Sequence, residues 1–179
     1  MKTPLTLSRI VTPLVAPQHG GWQVKPTDPA RSAMTDFRQH GLVTVMGSQQ
    51  IDEALEVMRH AGVRSAFVTD DAKQYILGLV TAYDIMGEKP LAVLHTGGGT
   101  RDALVVSDIM EPTTSWQVAR LSDVEKATVS SILETFQKNG GTHLAVVEEE
   151  PGYGTRLRGL FSSAKLLRLT EQSRSARAR

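Results

Sequence analysis

Gly78-Leu79-Val80-Thr81-Ala82-Tyr83-Asp84 is echoed later in the chain by Gly159-Leu160-Phe161-Ser162, with Lys165 where Asp84 would fall. In both, a glycine opens a short apolar run of strand character, and the hydroxyl residue at its end is a natural start for a helix. Outward from the first segment, residues 43–46 read as a strand and Ser48 as an N-cap. Ile51, Ala54, Leu55 and Met58 then follow at the spacing of one helix face. Gly62 suits the left-handed residue that closes a helix. Residues 66–68 form a second strand, Asp70-Asp71 turns the chain, and residues 76–80 form a third strand leading into a helix at Thr81.

The second stretch repeats the order. Residues 116–121 read as a strand, and Ser122 as the cap of a helix presenting Val124, Ala127, Ile132 and Phe136. Gly140-Gly141 stops that helix, 144–147 is a strand, Pro151-Gly152 turns, and 157–161 is a strand before a helix at Ser162. The fold class is therefore α/β (α+β): two β-α-β-β-α repeats. Neither has enough apolar residues to close a core alone, so the two are expected to pack with pseudo-twofold symmetry. The expected organisation is a proline-rich arm over 1–30, a first repeat over 31–90, a connector over 91–105, a second repeat over 106–170 and a basic tail over 171–179. Five of the eight prolines (4, 13, 17, 26 and 29) lie in the arm, which rules out a long helix there. His95-Thr96-Gly97-Gly98-Gly99-Thr100 in the connector lacks the Gly-Lys-Ser/Thr ending of a phosphate loop and reads as a flexible link.

Bulk composition narrows the function. Of 179 residues, 40% are hydrophobic and 22% charged, as in ordinary soluble globular proteins. Twenty basic and nineteen acidic side chains leave a net charge of +1, which gives no broad footprint for nucleic acid or membrane. Cysteine is absent, which removes disulfides, thiolate nucleophiles and thiolate metal sites. No apolar run approaches the ~18 residues of a membrane span. Histidines 19, 40, 60, 95 and 143 show no metal-ligand spacing, so no metal site is expected. Ser162-x-x-Lys165 matches an acyl-enzyme pattern without its companion motifs, and is read as coincidence. No enzymatic activity is expected, and the cytoplasm is the expected location.

The ordered set of segments resembles a tandem pair of cystathionine-β-synthase-type (CBS) domains, a Bateman module, over about residues 30–170. The likeness is carried by the repeat order, by Ser107-Asp108-Ile109-Met110-Glu111-Pro112 before the second copy, and by Gly78 through Asp84 in the first. Ala33-Met34-Thr35-Asp36 is a fainter echo of Asp-Ile-Met-Glu-Pro. The resemblance implies a non-catalytic regulator that binds adenine nucleotides or adenosyl ligands between its copies. It also implies pairing into homodimers and signalling to another, unknown protein. No cofactor is required on this reading; AMP, ADP, ATP or S-adenosylmethionine would act as regulator.

Thr81 and Asp84 are the leading ligand-binding candidates. An ionised carboxylate can accept both hydroxyls of a ribose cis-diol, and a Thr hydroxyl beside a helix N-terminus can meet phosphate. The same Thr-x-x-Asp spacing fits a capping box. In the second copy Ser162 preserves the hydroxyl, but Lys165 cannot accept a diol's protons, so one ribose site is expected rather than two. Lys165 would then either reach a phosphate or be solvated. Arg64 and His143 are placed at matching points before the second strand of each copy, as phosphate contacts or surface residues. Met46, Ala66 and Phe67 are candidates for an adenine pocket or for core packing. The alternative function is a structural dimerisation or protein-interaction module whose ligand site has decayed.

Overall fold

The structure, a computed structural model, describes residues 23–175. The expectation for residues 1–22 of the arm and for 176–179 of the tail lies outside the described residues. In chain order the elements are β1 (Thr35–Asp36), β2 (Thr44–Met46), α1 (Ile51–His60), β3 (Ser65–Thr69), β4 (Ile76–Thr81), α2 (Ala82–Met86), α3 (Lys89–Gly97), β5 (Glu111–Pro112), β6 (Val118–Arg120), α4 (Leu121–Val124), α5 (Val129–Asn139), β7 (His143–Glu150), β8 (Gly154–Ser162) and α6 (Ser163–Ser175). The α6 helix thus runs into the stretch read from the sequence as tail. Within the expected connector, α3 holds residues up to Gly97, and left-handed Gly98 and Gly99 follow it.

Two four-stranded sheets result, ordered β2-β3-β4-β5 and β1-β8-β7-β6. In each, the first strand of a repeat runs parallel to the second, which forms an antiparallel hairpin with the third. The edge strand comes from elsewhere. β5, just ahead of the second repeat, pairs with β4 of the first, and β1, ahead of the first repeat, pairs with β8 of the second. The chain therefore crosses itself twice. Gly78 and Gly159 lie where it crosses: a Cβ on Gly78 would stand 2.5 Å from the Glu111 carbonyl oxygen, and one on Gly159 would stand 2.8 Å from that of Thr35. Met110 and Met34 press their sulfurs onto these glycines. The faint echo around Met34 is thus a true structural counterpart of the Ile109-Met110-Glu111-Pro112 segment.

The helices cover the outer faces. Ile51, Ala54 and Met58 of α1 pack with Ala66, Val68, Val80 and Ile85 over the first sheet, joined by Leu104, Val106 and Ile109. Val129 and Ile132 of α5, with Leu166 and Leu169 of α6, pack on Val146 and Phe161 over the second, joined by Ala30, Ala33 and Met34. Inner faces meet through Phe67, Leu79, Ala145 and Leu160. Phe67 is wedged edge-on between Phe37 and Trp116, with centroids 5.4 and 6.1 Å away. The expected mutual burial of two open sheet faces is realised in this third cluster.

Two helix starts differ from the sequence reading. Gln50, not Ser48, caps α1, accepting from the Asp52 and Glu53 amides at 2.8 and 3.0 Å, while Ser48 donates to Asp71. In the second repeat the helix expected from Ser122 is broken into α4 and α5, and Thr128 caps α5. The cause is tertiary in both. Gln50 is bridged to Val105 and Thr128 to Pro29, which keeps the chain extended until the residue after each bridge.

The β1 crossing is locked by a buried ion pair. Arg158 donates to both oxygens of Asp36, at 3.0 and 2.7 Å, and each residue is 5% exposed. Glu148 on β7 also contacts Arg158, and the Arg158 guanidinium holds the Asp36 carboxyl below the usual carboxylate range. Asp36→Ala should cost about 3 kcal/mol, the low end for a broken buried pair, because β1 is an edge strand that water can approach. Gly78→Ala and Gly159→Ala should each cost about 1–3 kcal/mol by overpacking. Urea midpoints measure all three, and losses below ~0.5 kcal/mol would show the crossings to be loose.

Candidate functional site

Pairing puts Ser65 opposite Thr81 in the first sheet and His143 opposite Ser162 in the second. These strand ends border two clefts between the repeats. The first, of about 810 Å³, is lined by Thr81, Asp84, Arg64, His143 and Ser162 together with Tyr83, Met86, Lys89 and Glu111. The second, of about 460 Å³, is lined by Lys165, Arg168, Thr35, Phe37 and Phe67, and it shares Arg64, His143, Ser162 and Ala164 with the first.

Thr81 and Asp84 form the reciprocal cap that their spacing allows. The Thr81 amide and hydroxyl donate to Asp84 Oδ2 at 2.8 and 2.7 Å, and the Asp84 amide donates back to Thr81 Oγ1 at 3.0 Å. Asp84 Oδ1 takes an ion pair from Lys89 Nζ at 2.8 Å. Burial by itself would raise the Asp84 carboxyl, but the bonds from Lys89 and Thr81 outweigh it and hold it below the usual carboxylate range. Direct donors keep it ionised; α2 has only five residues, too short for much macrodipole. The sequence reading missed Lys89. Its signal was the helix break at Gly87 and Pro90 just inside α3, which turn residue 89 back towards the cap. Lys89 Nζ also donates to the Ile109 carbonyl at 3.1 Å, tying the site to the crossing segment.

Of the remaining candidates, Arg64 and His143 border both clefts, but they are not equivalent positions. The Arg64 carbonyl accepts from Ala82 N as the Thr142 carbonyl accepts from Ser163 N, so Thr142 matches Arg64 and His143 matches Ser65. Arg64 follows Gly62 by two places as Thr142 follows Gly140, and counting from Gly141 instead gives the one-place error. Ala66 is fully buried in the core beneath α1 and reaches neither cleft. Met46 pairs with Thr69 at the end of β3 remote from Ser65, about 13 Å along the strand, and lines neither cleft. Alternation puts Phe67 rather than Ala66 on the cleft side. Lys165 donates to Thr35 Oγ1 at 3.0 Å, across to β1. Among the described residues no cluster of three or more His, Cys, Asp or Glu could hold a metal ion, and no helix is long and apolar enough to cross a membrane.

Residues 30–90 match the family model of the CBS domain. No curated protein sequence matches the chain. Among solved structures it is similar to CBSX2 from Arabidopsis thaliana, at 23% identity and a TM-score of 0.51 over 85% of this chain and 99% of that one. A structure of CBSX2 in complex with AMP gives 24%, 0.50, 83% and 98%. An uncharacterized conserved protein from Pyrococcus horikoshii gives 24%, 0.55, 84% and 96%. The CBS domain of the bacterial CNNM/CorC family Mg2+ transporter in complex with ATP gives 17%, 0.52, 79% and 86%. The chain carries a CBS domain in its first half, and its two halves together have the fold of a tandem CBS pair.

His143 carries a pH dependence. Burial disfavours its charged form and outweighs the pull of Asp84, so its folded pKa lies below the ordinary imidazole value. The unfolded chain therefore binds this proton more readily, and stability is lost as pH falls from about 6.5 towards the folded value. The depressed Asp84 carboxyl acts in a separate window: its contribution is present above about pH 4 and is lost as pH falls through its folded value. Unfolding midpoints at pH 7.5 and 5.5 should differ less in His143→Gln than in the parent. Equal differences in the two proteins would remove His143 as the cause.

Proposed function

We propose that this protein is a regulatory module without chemistry of its own, which binds an adenosine-containing ligand (AMP, ADP, ATP or S-adenosylmethionine) in the Asp84 cleft and signals to a partner protein. The observation that carries this reading is the cleft of about 810 Å³ between the repeats, with an ionised carboxylate bracketed by Thr81 at its wall. A ribose diol would take the acceptor positions that Lys89 now uses on Oδ1. Lys89, with its side chain 49% exposed, would then exchange its bonds to Asp84 and the Ile109 carbonyl for phosphate. Ala82, Tyr83 and Met86 offer an apolar wall for a base, and Arg64 and His143 lie on the phosphate side. The AMP and ATP complexes of proteins with the same fold support the choice of ligand class. Binding across two repeats favours one relative packing of the halves, and that population shift is the signal. On the same reading the module works as a homodimer in the cytoplasm.

A second reading rests on a specific observation: Asp84 is already satisfied by Thr81 and Lys89, and Lys165 replaces its counterpart. On that view the pair is a structural dimerisation or interaction module. Calorimetric titration with the four adenosine compounds separates the two. At least one should bind the parent, and Asp84→Ala should weaken it tenfold to a few hundredfold, the worth of one well-made charge-assisted bond of about 1.5–3 kcal/mol. Affinity is the readout because loss of the cap alone costs about 1 kcal/mol of stability. Absence of binding by all four would favour the structural module.

A further inference from the structure

The second cleft is no mere worn copy of the first. Its walls carry Arg64, Lys165, Arg168 and His143, and no carboxylate is among the described residues that line it. Thr35, Ser65 and Ser162 add hydroxyls, and Phe37, Phe67 and Leu160 form an apolar wall that thins the water around the charges and strengthens their field. Lys165 is an unfavourable neighbour for Arg168: burial first, and the adjacent guanidinium second, push its ammonium below the ordinary lysine value. No described residue of the cleft wall carries a charge that relieves this repulsion, but a multiply charged anion would. Three cations and three hydroxyls around about 460 Å³ match tetrahedral oxyanions linked in a short chain.

We propose that the Lys165 cleft is a phosphate-binding site that takes a compact di- or triphosphate group and needs no sugar hydroxyl. Lysine in place of the carboxylate removes the diol acceptor and supplies the charge a phosphate requires. The phosphate has two conceivable sources. One is a free polyphosphate anion. The other is the tail of a nucleotide whose ribose is held at Asp84, since the clefts share Arg64, His143, Ser162 and Ala164; this source rests on the function proposed above.

Titration of the full chain with inorganic tripolyphosphate, and separately with ATP and AMP, tests the site in Lys165→Gln, Arg168→Gln and Asp84→Ala. Arg168 is exposed, so its replacement leaves the fold intact even if Lys165→Gln disturbs its bond to Thr35. A free-anion site requires saturable, salt-weakened tripolyphosphate binding, reduced at least tenfold by either cation variant and unchanged by Asp84→Ala. A tail site requires ATP to bind at least tenfold better than AMP, with that preference abolished by either cation variant. Tripolyphosphate affinity and the ATP-to-AMP ratio both unchanged in the two variants would overturn the proposal, as would failure of tripolyphosphate and ATP alike to bind. Loss of adenosine binding with tripolyphosphate binding intact would sink only the function proposed for the Asp84 cleft.

Discussion

The two halves of this molecule cohere because the chain crosses from one to the other where two glycines leave room for it. At Gly78 the carbonyl of Glu111 lies where any side chain would begin, and at Gly159 the carbonyl of Thr35 does the same. Each crossing supplies an edge strand to a sheet made otherwise from the opposite repeat, and each brings a methionine and a short 3-10 turn into the core behind it. Separating the repeats would therefore strip a strand from both sheets, as well as exposing the apolar interface around Phe67.

The crossings are fastened by different chemistry, and that difference reaches the clefts. Asp36 and Arg158 close one with a buried ion pair; their counterparts at the other are Pro112 and Leu77, which carry no charge. Beside each crossing a lysine ties the following helix to the strand. Lys89 does so in the first half by bridging Asp84 and the Ile109 carbonyl, and Lys165 in the second by reaching Thr35. One lysine neutralises a carboxylate, while the other stands in its place. The two clefts thus hold opposite charge patterns, an ionised acid at one and, among the described residues, clustered cations at the other.

On the function proposed above, that opposition would let the two walls take different parts of a ligand. A carboxylate with direct hydrogen-bond donors recognises hydroxyls, and clustered cations beside aromatic rings recognise phosphate. Because Arg64 and His143 border both clefts, a change of charge in one is felt in the other. His143, whose burial favours the neutral imidazole, is the most central of these groups.

Much of the fold was legible in the sequence because it is local. The 3.6-residue spacing of Ile51, Ala54, Leu55 and Met58, the glycines at 62 and 140, and the recurrence of Gly-apolar-apolar-hydroxyl specify helices, stops and hairpins through interactions a few residues apart. The Thr81–Asp84 bracket was legible for the same reason. What sequence could not decide is everything set by a partner far along the chain. Bridges from Val105 and Pro29 moved the caps to Gln50 and Thr128, and strand alternation faced Phe67 rather than Ala66 into the cleft. The crossing strands put Thr35 beside Lys165. Those outcomes rest on hydrogen bonds and packing between segments up to 130 residues apart, which only the closed tertiary structure brings within reach.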